Sequence, residues 1–211
     1  MKVTKTVLTT NNADDLPIED VVDKICLLNQ GIQKFWSNCA GWAPPEAAEL
    51  LGEVRLDWQS DLSTCLHLWT SKKNSQLSPG NLILAWTNLG SLVEGSLKLL
   101  LSVYLNDYLA DHEGAIKSGS LTKNGIPKSP EKLKLQQLKV FFSKKGLLGE
   151  DGDALIDLVQ ARRNTVHAFK NAEIGTQSEF EFAVRGYFAL LKKINLRLPY
   201  PDDVYDPGNF V

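Results

Sequence analysis

SPGNLILAWTNLGSLVEGSLKLLLSVY, residues 78–104, spaces its apolar side chains at helical and not at strand intervals. Leu82, Trp86, Leu89, Val93, Leu97, Leu100 and Tyr104 follow one another at three or four residues, the spacing that lines one side of an α-helix. Ser78 offers a hydroxyl to cap the first turn, and Pro79, with no amide proton to satisfy, suits the first helical position. The run predicts a long, nearly all-buried helix at the centre of the fold.

Working outward, five more helical stretches are expected. The first runs from about Ile18 to Cys39. The second starts after Pro44-Pro45 and continues through Leu50, Leu51, Val54, Trp58, Leu62, Cys65 and Leu66 to Trp69. Ser129-Pro130-Glu131 opens the fourth, which carries Leu133, Leu135, Leu138, Phe141 and Phe142 and ends near Gly146. A fifth spans about Asp153 to Lys170. Thr176-x-x-Glu179 has the pattern of a capping box opening the sixth, where Phe180, Val184, Tyr187, Phe188, Leu191 and Ile194 keep helical spacing up to Pro199. Only Val3 to Thr9 reads as a short strand. Residues 111–128, rich in Gly, Ser and Asn, read as a flexible basic loop, and residues 199–211, with three prolines, as an extended C-terminal tail. The fold class is therefore all-α, an up-and-down antiparallel bundle of about six helices in one domain over residues 1–211, with residues 1–16 as an N-terminal extension.

Composition narrows the chemistry. At 43% hydrophobic and 23% charged, the 211 residues suit one globular domain with a sizeable core. No apolar run approaches a membrane span and no leader is visible, so no membrane partner and a cytoplasmic location are expected. Cys26, Cys39 and Cys65 form no C-x-x-C pair and read as free, mostly buried thiols. Net charge is −2, yet Lys117 to Gly149 holds eight lysines and the single acid Glu131, a local balance of +7 in a remainder of −9. Such a segment either meets phosphates or forms a solvated basic face; Lys132, Lys139, Lys144 and Lys145 are its candidate RNA-binding residues. Phosphate-cradling glycine loops, H-E-x-x-H and G-x-S-x-G are absent, and the three histidines (67, 112 and 167) offer no paired metal ligands at helical spacing. No metal and no cofactor are expected.

What remains is Arg162-Arg163-Asn164-Thr165-Val166-His167 on the fifth helix. Leu155, Leu158, Val159, Val166 and Phe169 mark its apolar stripe. At about 100° per residue Arg162 falls inside that stripe, whereas Arg163, Asn164 and His167 share the neighbouring face. A guanidinium within an apolar stripe needs a partner, and Glu94 of the central helix is the candidate, although Lys98, four residues on, offers Glu94 another pairing. Gly90, Ser91, Gly95 and Ser96 around Glu94 would let another backbone or a ligand come close. Arginine forks match phosphate oxygens and imidazole titrates near neutrality, which together suit metal-free phosphate chemistry.

Arg162 to His167 in an all-α chain resembles the Arg-x4-6-His signature of the HEPN family (higher eukaryotes and prokaryotes nucleotide-binding), helical bundles that include many metal-independent ribonucleases of toxin–antitoxin, phage-defence and RNA-processing systems. The runs His167 to Gly175 and Leu196 to Asp202 are similar to uncharacterised members, so the likeness covers the third to sixth expected helices. Spacing favours Arg162 as the family's arginine; the Arg163-Asn164 pair favours Arg163. The resemblance implies attack of a ribose 2′-hydroxyl on the adjacent phosphate, with His167 as general acid or base, Arg162 or Arg163 stabilising negative charge, and Asn164 orienting phosphate or imidazole. It also implies a homodimer with a composite cleft, RNA or a nucleotide as ligand and, for toxin-type members, a protein antitoxin as partner. Against this stand a non-catalytic nucleotide- or protein-binding module or dimeric scaffold, and a cluster that only fixes helix packing.

Overall fold

The computed structural model describes residues 16–70, 76–167 and 172–211. The expected strand Val3 to Thr9, residues 1–15 of the N-terminal extension, Phe169 and the expected helix end at Lys170 lie outside the described residues. Those that are described form helices and turns without a strand; a single isolated bridge joins Leu121 to Pro127. No helix among them is long and apolar enough to cross a membrane.

The central run forms α5 (Pro79–Val103), with Ser78 Oγ accepting from the amide of Asn81 as the sequence predicts. Trp86, Leu89, Leu92, Val93 and Leu97 are wholly buried along it. It packs against α2 (Pro45–Glu53), α3 (Leu56–Thr64), α4 (Leu66–Thr70), α6 (Leu105–Ala110), α8 (Leu135–Lys145), α9 (Gly149–Arg163) and α10 (Gln177–Asn195). α1 (Ile18–Trp36) lies against α3, α4 and α10, contributing Val21, Val22, Ile25, Leu28 and Trp36 to the same hydrophobic core. Burying such aliphatic and aromatic side chains stabilises the fold by about 1.5–3 kcal/mol each.

Several boundaries differ from the sequence expectation. The single second helix is three: Val54 is extended and Arg55 begins anew, its guanidinium pairing with Asp57 in the first turn of α3 and stacking 4.1 Å from the Trp58 ring, and a turn at Cys65 parts α3 from α4. Residues 111–128 are not an open loop. Asp111 caps α7 (His112–Lys117) by accepting from the amide of Gly114, and a tight turn follows, with wholly buried Ser120 accepting from the Lys128 amide. Tyr108 then donates to the Lys128 carbonyl and ties the turn to α6. The C-terminal tail is not extended either. Asp202 and Asp206 accept from the amides of Val204 and Gly208 and fold it into two 3-10 turns, Asp203–Tyr205 and Pro207–Phe210. Tyr200 meets Phe35 of α1 edge-on and Tyr205 packs on it at a tilt, and Pro207 lies so close to Gly31 that a Cβ there would stand 2.3 Å from the Pro207 Cβ.

Candidate functional site

α9 brings the motif to α5, but the helix stops at Arg163. Asn164–Val166 continue as a 3-10 turn, whose tighter winding of about 120° per residue moves every following side chain out of the α-helical register. Thr165 therefore turns inward, 5% exposed, and its hydroxyl donates to the Arg162 carbonyl. Val166, placed by the sequence in the apolar stripe, is instead 45% exposed.

The two arginines diverge. Arg162 lies largely buried and reaches forward to α10: Nε and Nη2 donate to the two carboxylate oxygens of Glu179, each at 3.0 Å, and Nη1 donates to the Glu173 carbonyl at 2.6 Å. Hydrogen bonds to Glu179 outweigh burial and hold the guanidinium pKa above its ordinary value. Glu179 thus does double duty, its amide donating to Thr176 Oγ1 at the cap while its carboxylate clamps Arg162.

Glu94 is not the partner of Arg162. It takes Arg163, whose Nη1 donates to Glu94 Oε2 at 2.5 Å, while Lys98 Nζ donates to Oε1 at 2.8 Å. Burial pushes the Glu94 carboxyl up, but hydrogen bonds from Lys98 and Arg163 and their positive charges prevail, so it stays below the usual carboxylate range. The small residue foreseen beside Glu94 has a definite use: a Cβ at Gly90 would stand 2.5 Å from Arg163 Cδ, so only glycine lets that aliphatic stem lie on α5.

Asn164 and His167 follow at the surface. Both are exposed, and neither side chain has a hydrogen-bond or ionic partner among the described residues; the His167 amide donates to the Asn164 carbonyl. Arg163, Glu94 and Lys98 therefore make one polar seam along α5, extended by Lys98, whose ammonium also donates to the Glu131 carbonyl, while Asn164 and His167 follow Arg163 in the chain at the surface.

Three of the four candidate RNA-binding lysines are already paired with carboxylates. Lys132 pairs with Glu131 at 3.6 Å, Lys139 with Asp157 of α9 at 2.7 Å and Lys145 with Asp111 at 2.6 Å. Lys144 is exposed and carries no carboxylate partner among the described residues. Glu173 and Glu179 were missed as partners of Arg162, although the capping-box pattern had already marked Glu179. Among the described residues no three His, Cys, Asp or Glu side chains come together to hold a metal ion. Compared with protein-family models, with curated proteins and with solved structures, the chain matches none.

Proposed function

We propose that the chain is a metal-independent endoribonuclease of the HEPN-like bundle type, of toxin or phage-defence kind, working as a cytoplasmic homodimer. What supports this is the seam itself: Arg163 gives one nitrogen to Glu94 and keeps its other donors, and directly beyond it Asn164 and His167 are exposed and unpartnered among the described residues. A guanidinium so held presents a rigid fork to phosphate oxygens.

In this reading a ribose 2′-hydroxyl attacks the adjacent phosphorus, and the P–O5′ bond breaks to leave a cyclic phosphate and a 5′-hydroxyl. His167 takes the 2′ proton or supplies one to the leaving oxygen, Arg163 stabilises charge on the phosphoryl oxygens, and Asn164 orients the phosphate. A second copy of the chain would add a second imidazole, so that one acts as base while the other acts as acid. Arg162, already bidentate to Glu179, is assigned to the scaffold.

The second reading is a non-catalytic nucleotide- or protein-binding module or dimeric scaffold, and the ion pairing of both arginines favours it. Incubating total RNA in chelator with wild type, His167→Ala and Arg163→Ala separates the two. Cleavage by wild type that both variants lose supports the ribonuclease; no cleavage by wild type, or equal cleavage by all three, overturns it.

A further inference from the structure

From Leu100, six residues or about 9 Å past Glu94 along α5, a cavity of about 460 Å³ opens between the end of α5, α6 and α8. Its volume falls within the range of small-molecule sites, about 300–1,000 Å³. Leu100, Leu101, Phe141 and Phe142, all nearly fully buried, form its walls. Tyr108, a further wall, has its phenol pushed up to about 12 by burial and by the charge of Glu131, and so stays neutral.

Four charged residues ring the opening. Lys145 and Asp111 neutralise one another at 2.6 Å; burial raises the Asp111 carboxyl, but hydrogen bonds from Lys145 and the Gly114 amide bring it below its ordinary value. Asp107 and Arg197 are left, both exposed and neither side chain with a partner among the described residues. Arg197 lies two residues past the C-terminus of α10 and Asp107 lies in the first turn of α6, so each already faces a helix end of opposite partial charge. The lining tips the balance: it holds four aromatic residues, Tyr104, Tyr108, Phe141 and Phe142, and aromatic rings suit a cation better than an anion.

We propose that this cavity binds a small organic cation, an amine on an apolar body, with its ammonium on Asp107 and its body against Leu100, Leu101, Phe141 and Phe142. The site is separate from the Arg163 seam and does not depend on the ribonuclease reading.

The test uses the full chain with methyl-labelled leucines, titrated at neutral pH with 4-phenylbutylamine, 4-phenylbutanol and 4-phenylbutyrate. The amine is expected to bind most tightly and to shift the methyl resonances of Leu100 and Leu101. Asp107→Asn, at an exposed position, should weaken the amine by about fivefold and leave the alcohol unchanged. Arg197→Gln should leave amine binding intact or tighten it. 4-Phenylbutyrate binding as tightly as the amine, shifts that bypass both leucines, an Asp107→Asn variant with unaltered amine affinity, or weaker amine binding by Arg197→Gln would each overturn the proposal.

Discussion

Arg163 Nη1 lies 2.5 Å from Glu94 Oε2, with the aliphatic part of the arginine resting on Gly90, so the seam between α9 and α5 is closed by a half-buried charge pair. Its sign with pH follows from Glu94. The folded carboxyl is held below its unfolded value, so its contribution to stability is complete above the ordinary glutamate pKa of about 4.3 and is lost as pH falls through the lower folded value. Glu94→Gln keeps the shape and removes the charge, leaving two cations with a neutral acceptor. It should cost about 1–3 kcal/mol at pH 7 and flatten the acid limb of the stability curve. Urea unfolding of both proteins across pH 3 to 7 checks this; parallel curves would show that Glu94 plays no such part.

Arg162 and Arg163 should separate by the property each controls. Arg162→Lys keeps the charge but loses the two-pronged contact with Glu179, and an expected loss of about 2 kcal/mol should appear as a lower denaturant midpoint. RNA cleavage by the folded fraction should survive that change. Arg163→Ala should instead lower cleavage by about a hundredfold, the cost of removing a charge-stabilising donor. If Arg162→Lys abolishes cleavage in fully folded protein, the roles of the two arginines are reversed.

The difference between these arginines marks where the sequence stops being legible. Helical spacing located α5 and its Ser78 cap, and placed Arg162 in an apolar stripe in need of a carboxylate. A helical wheel, however, gives directions only about its own axis. Which carboxylate each arginine meets depends on how α9 sits against α5 and α10, and Glu94 and Glu179 are 69 and 17 residues away from their arginines. The 3-10 turn after Arg163 was equally out of reach, since the switch is stabilised by Thr165 turning inward and not by any breaker residue. In the tail, the prolines suggested an extended chain, but the short-range caps of Asp202 and Asp206 decided otherwise.

The ion pairs of the lysines rank their expected effect on RNA binding. Lys132, Lys139 and Lys145 already face Glu131, Asp157 and Asp111, so each adds little net charge to an approaching phosphate. Lys144 has no such partner among the described residues. Lys144→Gln should therefore reduce the slope of log affinity against log salt by about one, with smaller changes for the other three. Equal reductions in all four, read by fluorescence anisotropy on a short single-stranded RNA, would refute the ranking.

The last prediction concerns the tail that α1 holds. Pro207 covers Gly31, and a new Cβ would stand 2.3 Å from its Cβ and 3.1 Å from its Cγ. A proline ring cannot rotate away as a long side chain would, so the whole turn Pro207–Phe210 must lift. The tilted packing of Tyr205 on Phe35 and the bond from Asn195 Nδ2 to Asp206 both resist that movement. Alanine favours the helix by up to about 1 kcal/mol over glycine, whereas overpacking costs about 1–3 kcal/mol, so Gly31→Ala should be destabilising overall. Carboxypeptidase should release Val211 and Phe210 faster from this variant than from wild type. Adding Pro207→Gly, which removes the clashing ring, should recover the stability lost to the alanine; failure of the double variant to do so would mean that the clash with Pro207 is not the cause.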